Sequence, residues 1–260
     1  MEAFHVHLGL RKTGTTYLQR WLDRSTLAPG TIWVNERKSR ETLLPEMPLP
    51  DYLATDATVV ISDENLLRGF RNGSVFSRPT RQLLRLRPFT PSLFICLRNY
   101  ADHFTSSWVE TLKRQSFRPF DPGERPDRRW PDVLREIAKA FPDSPVTVWD
   151  YADMRGNEAA IAQLITGNHV REFGPPPKPQ INQRMSVNAV AHLAALAQPP
   201  EKGKAFREFL SAHPVSESNP RFETFTAETR KPFDAAYKED WDDIAKYATI
   251  WRPNPQTPSQ

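Results

Sequence analysis

The sequence predicts an α/β fold, a three-layer sandwich with a central, mainly parallel sheet. Short strand candidates alternate with helix-like segments, and this order is typical of parallel sheets covered by helices. Two strand candidates, residues 59–61 and 93–97, are apolar at successive positions, as strands covered on both faces tend to be. We therefore expect these two strands in the middle of the sheet.

The first strand candidate is residues 4–8, where apolar and polar residues alternate, and apolar residues at helical spacing follow over residues 15–22. Further strands are predicted at residues 31–34, 58–62, 92–97 and 146–149. Helices are predicted around residues 78–86, 101–114, 130–140 and 158–165. From about residue 180 the pattern predicts helices alone, at residues 187–196, 205–210 and 226–247.

We expect residues 1–250 to form a single domain with a helical C-terminal portion, and residues 251–260 to form a Pro-rich tail. The 25 prolines among 260 residues are about twice the usual share, so the loops should be extended and stiff. The longest predicted connection, residues 115–130, combines arginine, proline and aromatic side chains, and long connections of this kind are often functional.

The charges are nearly balanced, with 35 Lys+Arg against 31 Asp+Glu, which does not favour a nucleic-acid partner. Cys96 is the single cysteine, so an internal disulfide is excluded and a reducing compartment is expected. The apolar runs are far shorter than the roughly 18 residues of a membrane span, and the N-terminus lacks the pattern of a secretory signal. These features predict a cytoplasmic protein without a membrane span and leave its oligomeric state open.

Residues 9–16, Gly-Leu-Arg-Lys-Thr-Gly-Thr-Thr, join the first predicted strand to the first helix. A glycine turn at this place aims backbone N–H groups and a helix N-terminus at an anion, which predicts a P-loop-like phosphate site. Gly9 and Gly14 have the spacing of the nucleotide-hydrolase loop, but Thr15 occupies the position of its lysine and Lys12 lies inside the loop. The alternative is an ordinary helix start with a threonine cap and a glycine turn.

Residues 11–18, Arg-Lys-Thr-Gly-Thr-Thr-Tyr-Leu, resemble the 5′-phosphosulfate loop of sulfotransferases that use 3′-phosphoadenosine 5′-phosphosulfate (PAPS). Residues 97–108 are similar to the 3′-phosphate segment of that family, with Arg98 at a strand end and Ser106 on the following helix. Tyr100 and Trp108 stand where the family often has proline and tyrosine. Residues 148–151 and 181–186 are more weakly similar to family segments.

The resemblance implies a P-loop-like fold and a sulfotransferase activity, with PAPS as cofactor and 3′-phosphoadenosine 5′-phosphate (PAP) as product. The acceptor would be a hydroxyl or amine of a small molecule or carbohydrate, which the sequence does not identify. The residues expected to bind the nucleotide are Arg11, Lys12, Thr13, Gly14, Thr15, Thr16, Arg98 and Ser106.

Sulfuryl transfer moves a group of lower negative charge than a phosphoryl group, so a lysine and a helix N-terminus can stabilise the leaving phosphate without Mg²⁺. Lys12 is expected to do this, and no metal is predicted because the histidines lack ligand spacing. The acceptor needs a general base, for which Glu64, just beyond a strand, is the first candidate and His7 the second. Alternatively, Glu64 only charges the first turn of a helix and His7 is a satisfied core residue.

Two further functions stay open at this point. A P-loop kinase or nucleotide hydrolase would require Mg²⁺, and Thr15 at the lysine position counts against it. A polyanion-binding module is suggested by the net charge of +4 and by arginines within residues 78–87 and 118–129.

Overall fold

The computed structural model describes residues 3–42, 51–67, 84–113, 115–124, 126–177, 185–196, 201 and 203–254. The predicted α/β class is confirmed by a central sheet of six strands. These are β1 (Ala3–Leu8), β3 (Thr31–Val34), β4 (Thr58–Asp63), β5 (Ser92–Leu97), β6 (Val146–Asp150) and β8 (Thr249–Ile250). Their order is β3-β4-β1-β5-β6-β8, and every neighbouring pair is parallel.

The described helices follow in chain order. They are α1 (Thr15–Leu22), α2 (Glu36–Thr42), α3 (Tyr100–Leu112), α4 (Trp130–Ala140), α5 (Glu158–Ile165), α6 (Val187–Ala195), α7 (Lys204–Ala212) and α8 (Ala227–Ile244). Short 3₁₀ turns cover Asp51–Ala54, Leu84–Phe89 and Tyr151–Met154. Two further short strands, β2 (Thr26–Leu27) and β7 (Val170–Glu172), pair antiparallel in a small separate sheet.

The chain divides into two compact units. The first unit comprises Met1–Arg98, Asp127–Lys178 and Tyr237–Gln260, and it contains the six-stranded sheet. The second unit comprises Asn99–Pro126 and Pro179–Ala236, and its core joins α3, α6 and α7 through apolar residues such as Leu112, Val190 and Phe206. Compactness does not test independent folding, so the single domain over residues 1–250 stays a prediction.

The two apolar strand candidates occupy the middle of the sheet, as predicted. β4 and β5 flank β1, with Leu8 of β1 opposite Asp63 and His7 opposite both Ser62 and Phe94. All six residues of β4 are buried. A parallel strand in this position has both faces covered, which explains its continuous apolar run.

Side chains of β5 alternate between the two faces of the sheet. Phe94 and Cys96 pack against Leu18 of α1 on one face. Leu93 and Ile95 point to the opposite face and are equally buried. Both faces of this strand are therefore covered, as a layered sandwich requires.

The expectation of helices alone in the C-terminal portion is wrong. β8 follows α8 and pairs in parallel with Thr147 and Val148 of β6. The Trp251 N–H donates to the Val148 carbonyl at 2.8 Å, immediately after this pairing. A strand of two residues has no periodicity that a sequence pattern can reveal, so only the tertiary pairing defines it.

Other differences concern the ends of elements and short elements. α8 is shorter than the predicted helix at residues 226–247. Residues 84–89 form a 3₁₀ turn, and the start of the helix predicted at residues 78–86 lies outside the described residues. Residues 181–184 and 255–260, which belong to a weak family similarity and to the predicted tail, also lie outside them. Neither α2 nor the β2–β7 pair was predicted.

Candidate functional site

Four adjacent strands of the sheet end at one edge, because all of them run in parallel. The residues that follow β4, β1, β5 and β6 are Glu64, Gly9, Arg98 and Tyr151. The carboxyl edge of a parallel sheet is the usual place for ligands in open α/β folds. This edge therefore contains the candidate site, and all four exits belong to the first unit.

The loop of residues 9–14 is attached to the end of β4 at its first residue. The Gly9 N–H donates to the Asp63 carbonyl at 3.0 Å, and the Leu67 N–H donates to the Gly9 carbonyl at 3.2 Å. A Cβ atom at Gly9 would lie 2.4 Å from the Asp63 oxygen. Only glycine permits so close an approach of two backbones, which explains this residue at the start of the loop.

The loop enters α1 through two residues with positive φ, Lys12 at 71° and Gly14 at 84°. Between them, the buried Thr13 hydroxyl donates to the Leu10 carbonyl at 2.6 Å and fixes the turn. Gly14 has no side chain to accept from the first N–H groups of α1, and the first turn, residues 15–17, contains no carboxylate. The positive end of the helix dipole is thus available to an anion.

Glu64 lies beside this helix start. The Thr16 hydroxyl donates to Glu64 Oε2 at 2.6 Å, and both residues are half-buried. The chain turns at this point because the buried Asp63 carboxylate accepts from the Asn65 N–H at 2.8 Å and from the Ser39 hydroxyl at 3.2 Å. Asp63 therefore shapes the turn, whereas Glu64 points to the loop.

Arg98 contacts the same loop from the end of β5. Its Nη1 donates to the Lys12 carbonyl at 2.6 Å, and its Cζ lies 4.4 Å from the centre of the Tyr151 ring. The Trp130 indole N–H donates to the Arg98 carbonyl at 3.0 Å, which fixes the backbone. Within the described residues, the buried Arg98 Nε has no hydrogen-bond partner. An unpaired buried donor on a cation favours an anionic ligand at this place.

His7, the second candidate base, is enclosed in the sheet. Its ring is fully buried, its Nδ1 lies 2.9 Å from Ser62 Oγ, and its centre lies 5.5 Å from that of the Trp149 ring. Gln19 Nε2 donates to the Ser62 carbonyl at 2.7 Å and closes this buried group. Burial lowers the pKa of His7 to about 3, because the charged imidazolium is poorly solvated there. A neutral, enclosed imidazole fits a packing role.

Two residues that contact the loop, Tyr151 and Met154, are not among the predicted site residues. A Cβ atom at Gly14 would lie 2.5 Å from Met154 Sδ and 3.3 Å from Tyr151 Cε2, so both residues pack on the loop. They follow β6 in the Tyr151–Met154 turn, where the Asp150 carboxylate accepts from the Ala152 N–H. Two sequence signals point to Tyr151: its position directly after a parallel strand and the weak family similarity of residues 148–151.

The remaining predicted nucleotide-binding residues are placed as follows. Arg11 is exposed, and its Nε donates to Asn65 Oδ1 at 2.7 Å. Thr15 is buried, and its hydroxyl lies 3.5 Å from that of Thr13. Ser106 is half-buried on α3 in the second unit. The structure therefore brings together every predicted site residue of the first unit except the enclosed His7, and the pairing of Arg98 with Ser106 stays a prediction.

Across the described residues, no three His, Cys, Asp or Glu side chains group as metal ligands. None of the helices in that part of the chain combines the length and the hydropathy that a bilayer crossing requires. No protein-family model matches the sequence. Comparison with curated proteins also finds no match.

Proposed function

We propose that this protein transfers the sulfuryl group of PAPS to a hydroxyl or amine of a small molecule or carbohydrate in the cytoplasm. The observation that carries this proposal is the convergence of Lys12, Glu64 and Arg98 at the ends of three adjacent strands, β1, β4 and β5. Glu64 and Arg98 provide a carboxylate and a cation beside the loop and the helix start, and Lys12 is a residue of that loop.

The residues of this edge fit a nucleotide that has phosphates at both ends of its ribose. The open N-terminus of α1, with the half-buried Thr16 hydroxyl, supports binding of the 5′-phosphate. The buried, unpaired Nε of Arg98 supports a second anion nearby, because guanidinium groups bind phosphates through several N–H donors. We assign this second anion to the 3′-phosphate.

PAPS, when bound, supplies the sulfuryl group, whose bond to the 5′-phosphate oxygen breaks as the bond from sulfur to the acceptor forms. Glu64 takes the proton of the acceptor hydroxyl or amine and later releases it to water. Lys12 and the N-terminus of α1 offset the negative charge that remains on the phosphate oxygen with the bonding electron pair. The products are PAP, the sulfated acceptor and one proton.

Calorimetric titration with PAP, AMP and ATP, each with EDTA and with Mg²⁺, tests this proposal. We expect PAP to bind in EDTA and more tightly than AMP. Lys12→Ala should weaken PAP binding, whereas Lys246→Ala, which removes an exposed lysine of the same unit, should not. Binding of ATP that requires Mg²⁺, with no preference for PAP, would instead support a kinase or hydrolase.

A further inference from the structure

The Thr16 hydroxyl has one acceptor in the structure, Glu64, and would have a second in a phosphate bound at the start of α1. In the structure it donates to Glu64 Oε2 at 2.6 Å. Thr16 is also the second residue of α1, in the turn where a bound phosphate would accept hydrogen bonds. A hydroxyl has a single proton, so it cannot donate to both acceptors at the same time.

We propose that the Thr16 hydroxyl donates to Glu64 when the loop is empty and to the nucleotide phosphate when the loop is occupied. This inference rests on the proposed function, because it takes the ligand of the loop to be PAPS or PAP. Thr16 is then a positioning residue that couples the two halves of the reaction. Nucleotide binding then releases one acceptor position on Glu64 Oε2.

The surroundings of Thr16 favour a change in its side chain alone. One turn further along α1, the buried Gln19 donates to the Ser62 carbonyl at 2.7 Å, which ties the helix to the end of β4. At the start of the helix, the Tyr17 and Leu18 N–H groups donate to the Gly14 carbonyl. With the backbone held on both sides of Thr16, rotation about χ1 of Thr16 is the smallest motion that redirects the hydroxyl.

A double-mutant cycle on PAP affinity tests the alternation. The proteins are the wild type, Glu64→Ala, Thr16→Val and the double variant, titrated with PAP in EDTA by calorimetry. In the wild-type background Glu64→Ala removes both a negative charge and a competing acceptor, whereas in the Thr16→Val background it removes only the charge. We expect the gain in affinity from Glu64→Ala to be about tenfold larger in the background that retains the hydroxyl.

The same cycle also predicts the effect of Thr16→Val in each background. Thr16→Val alone should change PAP affinity little, because the lost bond to phosphate is offset by the lost bond to Glu64. In the Glu64→Ala background the same substitution should weaken binding by about tenfold. Thr16→Ser, which keeps the hydroxyl, should behave as the wild type in both backgrounds.

Equal effects of Glu64→Ala in the two backgrounds would overturn the alternation and leave Thr16–Glu64 as a fixed structural bond. That result is compatible with the proposed function, since PAP still binds. A wild-type protein that does not prefer PAP to AMP would overturn the proposed function together with this inference. Thermal unfolding of each variant verifies its fold, and Thr16→Ala replaces Thr16→Val if the valine is not accommodated.

Discussion

Two titratable side chains that are close along the sheet differ in their burial, one at the carboxyl edge and one in the interior just beneath it. Glu64, directly after β4, is half-buried and accepts a hydrogen bond from the Thr16 hydroxyl of α1. His7, opposite Ser62 in β1, is fully buried with a strongly lowered pKa. Along the chain, Asp63 alone stands between Ser62 and Glu64. In a parallel sheet, two residues of chain are therefore enough to separate a fully buried position from a half-buried one at the edge.

Replacing Glu64 at the edge should have the largest effect on turnover. Glu64→Gln retains an oxygen that accepts from Thr16 but cannot take a proton, so we expect sulfation to fall by about 10²- to 10⁴-fold with PAP binding intact. The measurement is transfer of labelled sulfate from PAPS to any hydroxyl or amine compound that the wild-type protein sulfates.

The matched control is Glu172→Gln, which neutralises an exposed carboxylate on β7 and should leave turnover unchanged. A fully active Glu64→Gln protein with an unchanged melting temperature would remove Glu64 from the chemistry. The carboxyl edge would then lack a candidate base, and His7 would have to be considered again.

Arg98 tests the role of the edge in nucleotide recognition. If its guanidinium reads the 3′-phosphate, Arg98→Ala should abolish the preference for PAP over AMP, a loss of about 1.5 to 3 kcal/mol for a hydrogen bond to a charged group. Calorimetric titration of both nucleotides measures this preference. An equal loss of affinity for PAP and AMP would show that Arg98 acts instead through the Lys12 carbonyl and the loop.

The sequence is sufficient to predict the edge but not its contacts. Parallel strands place the ends of β1 and β4 side by side, so a loop after one strand and Glu64 after the other are expected neighbours. The bond between Thr16 and Glu64 joins residues 48 positions apart and depends on side-chain directions that no spacing encodes. The packing of Met154 on Gly14 is likewise a tertiary contact.

The secondary structure, like the site, could be predicted only in part. Long periodic or continuously apolar segments, such as β5 and α4, are predicted with their observed bounds. β8 is not, because a strand of two residues exists only through its hydrogen bonds to β6. The enclosure of His7 also could not be deduced from the alternating pattern of β1, since an isolated strand does not reveal that both of its faces are covered.

The smallest expected effect concerns His7 and the stability of the interior. Its pKa is about 3 in the folded protein, against 6.5 for a histidine exposed to water, so between these values the unfolded chain binds more protons than the folded one. Stability should therefore decrease as the pH falls below about 6.5, by roughly 1 kcal/mol from this one residue between pH 7 and pH 5.5. His7→Asn removes the titration, so its free energy of unfolding, measured by urea denaturation across this range, should depend less on pH than that of the wild type by this amount. His5, whose pKa is also lowered by burial and by His169, contributes equally to both proteins and cancels in the difference.

Identical profiles for the two proteins would mean that folded His7 takes up protons as readily as the unfolded chain does. The imidazole would then be in contact with solvent, and burial would no longer distinguish His7 from Glu64 as the candidate base.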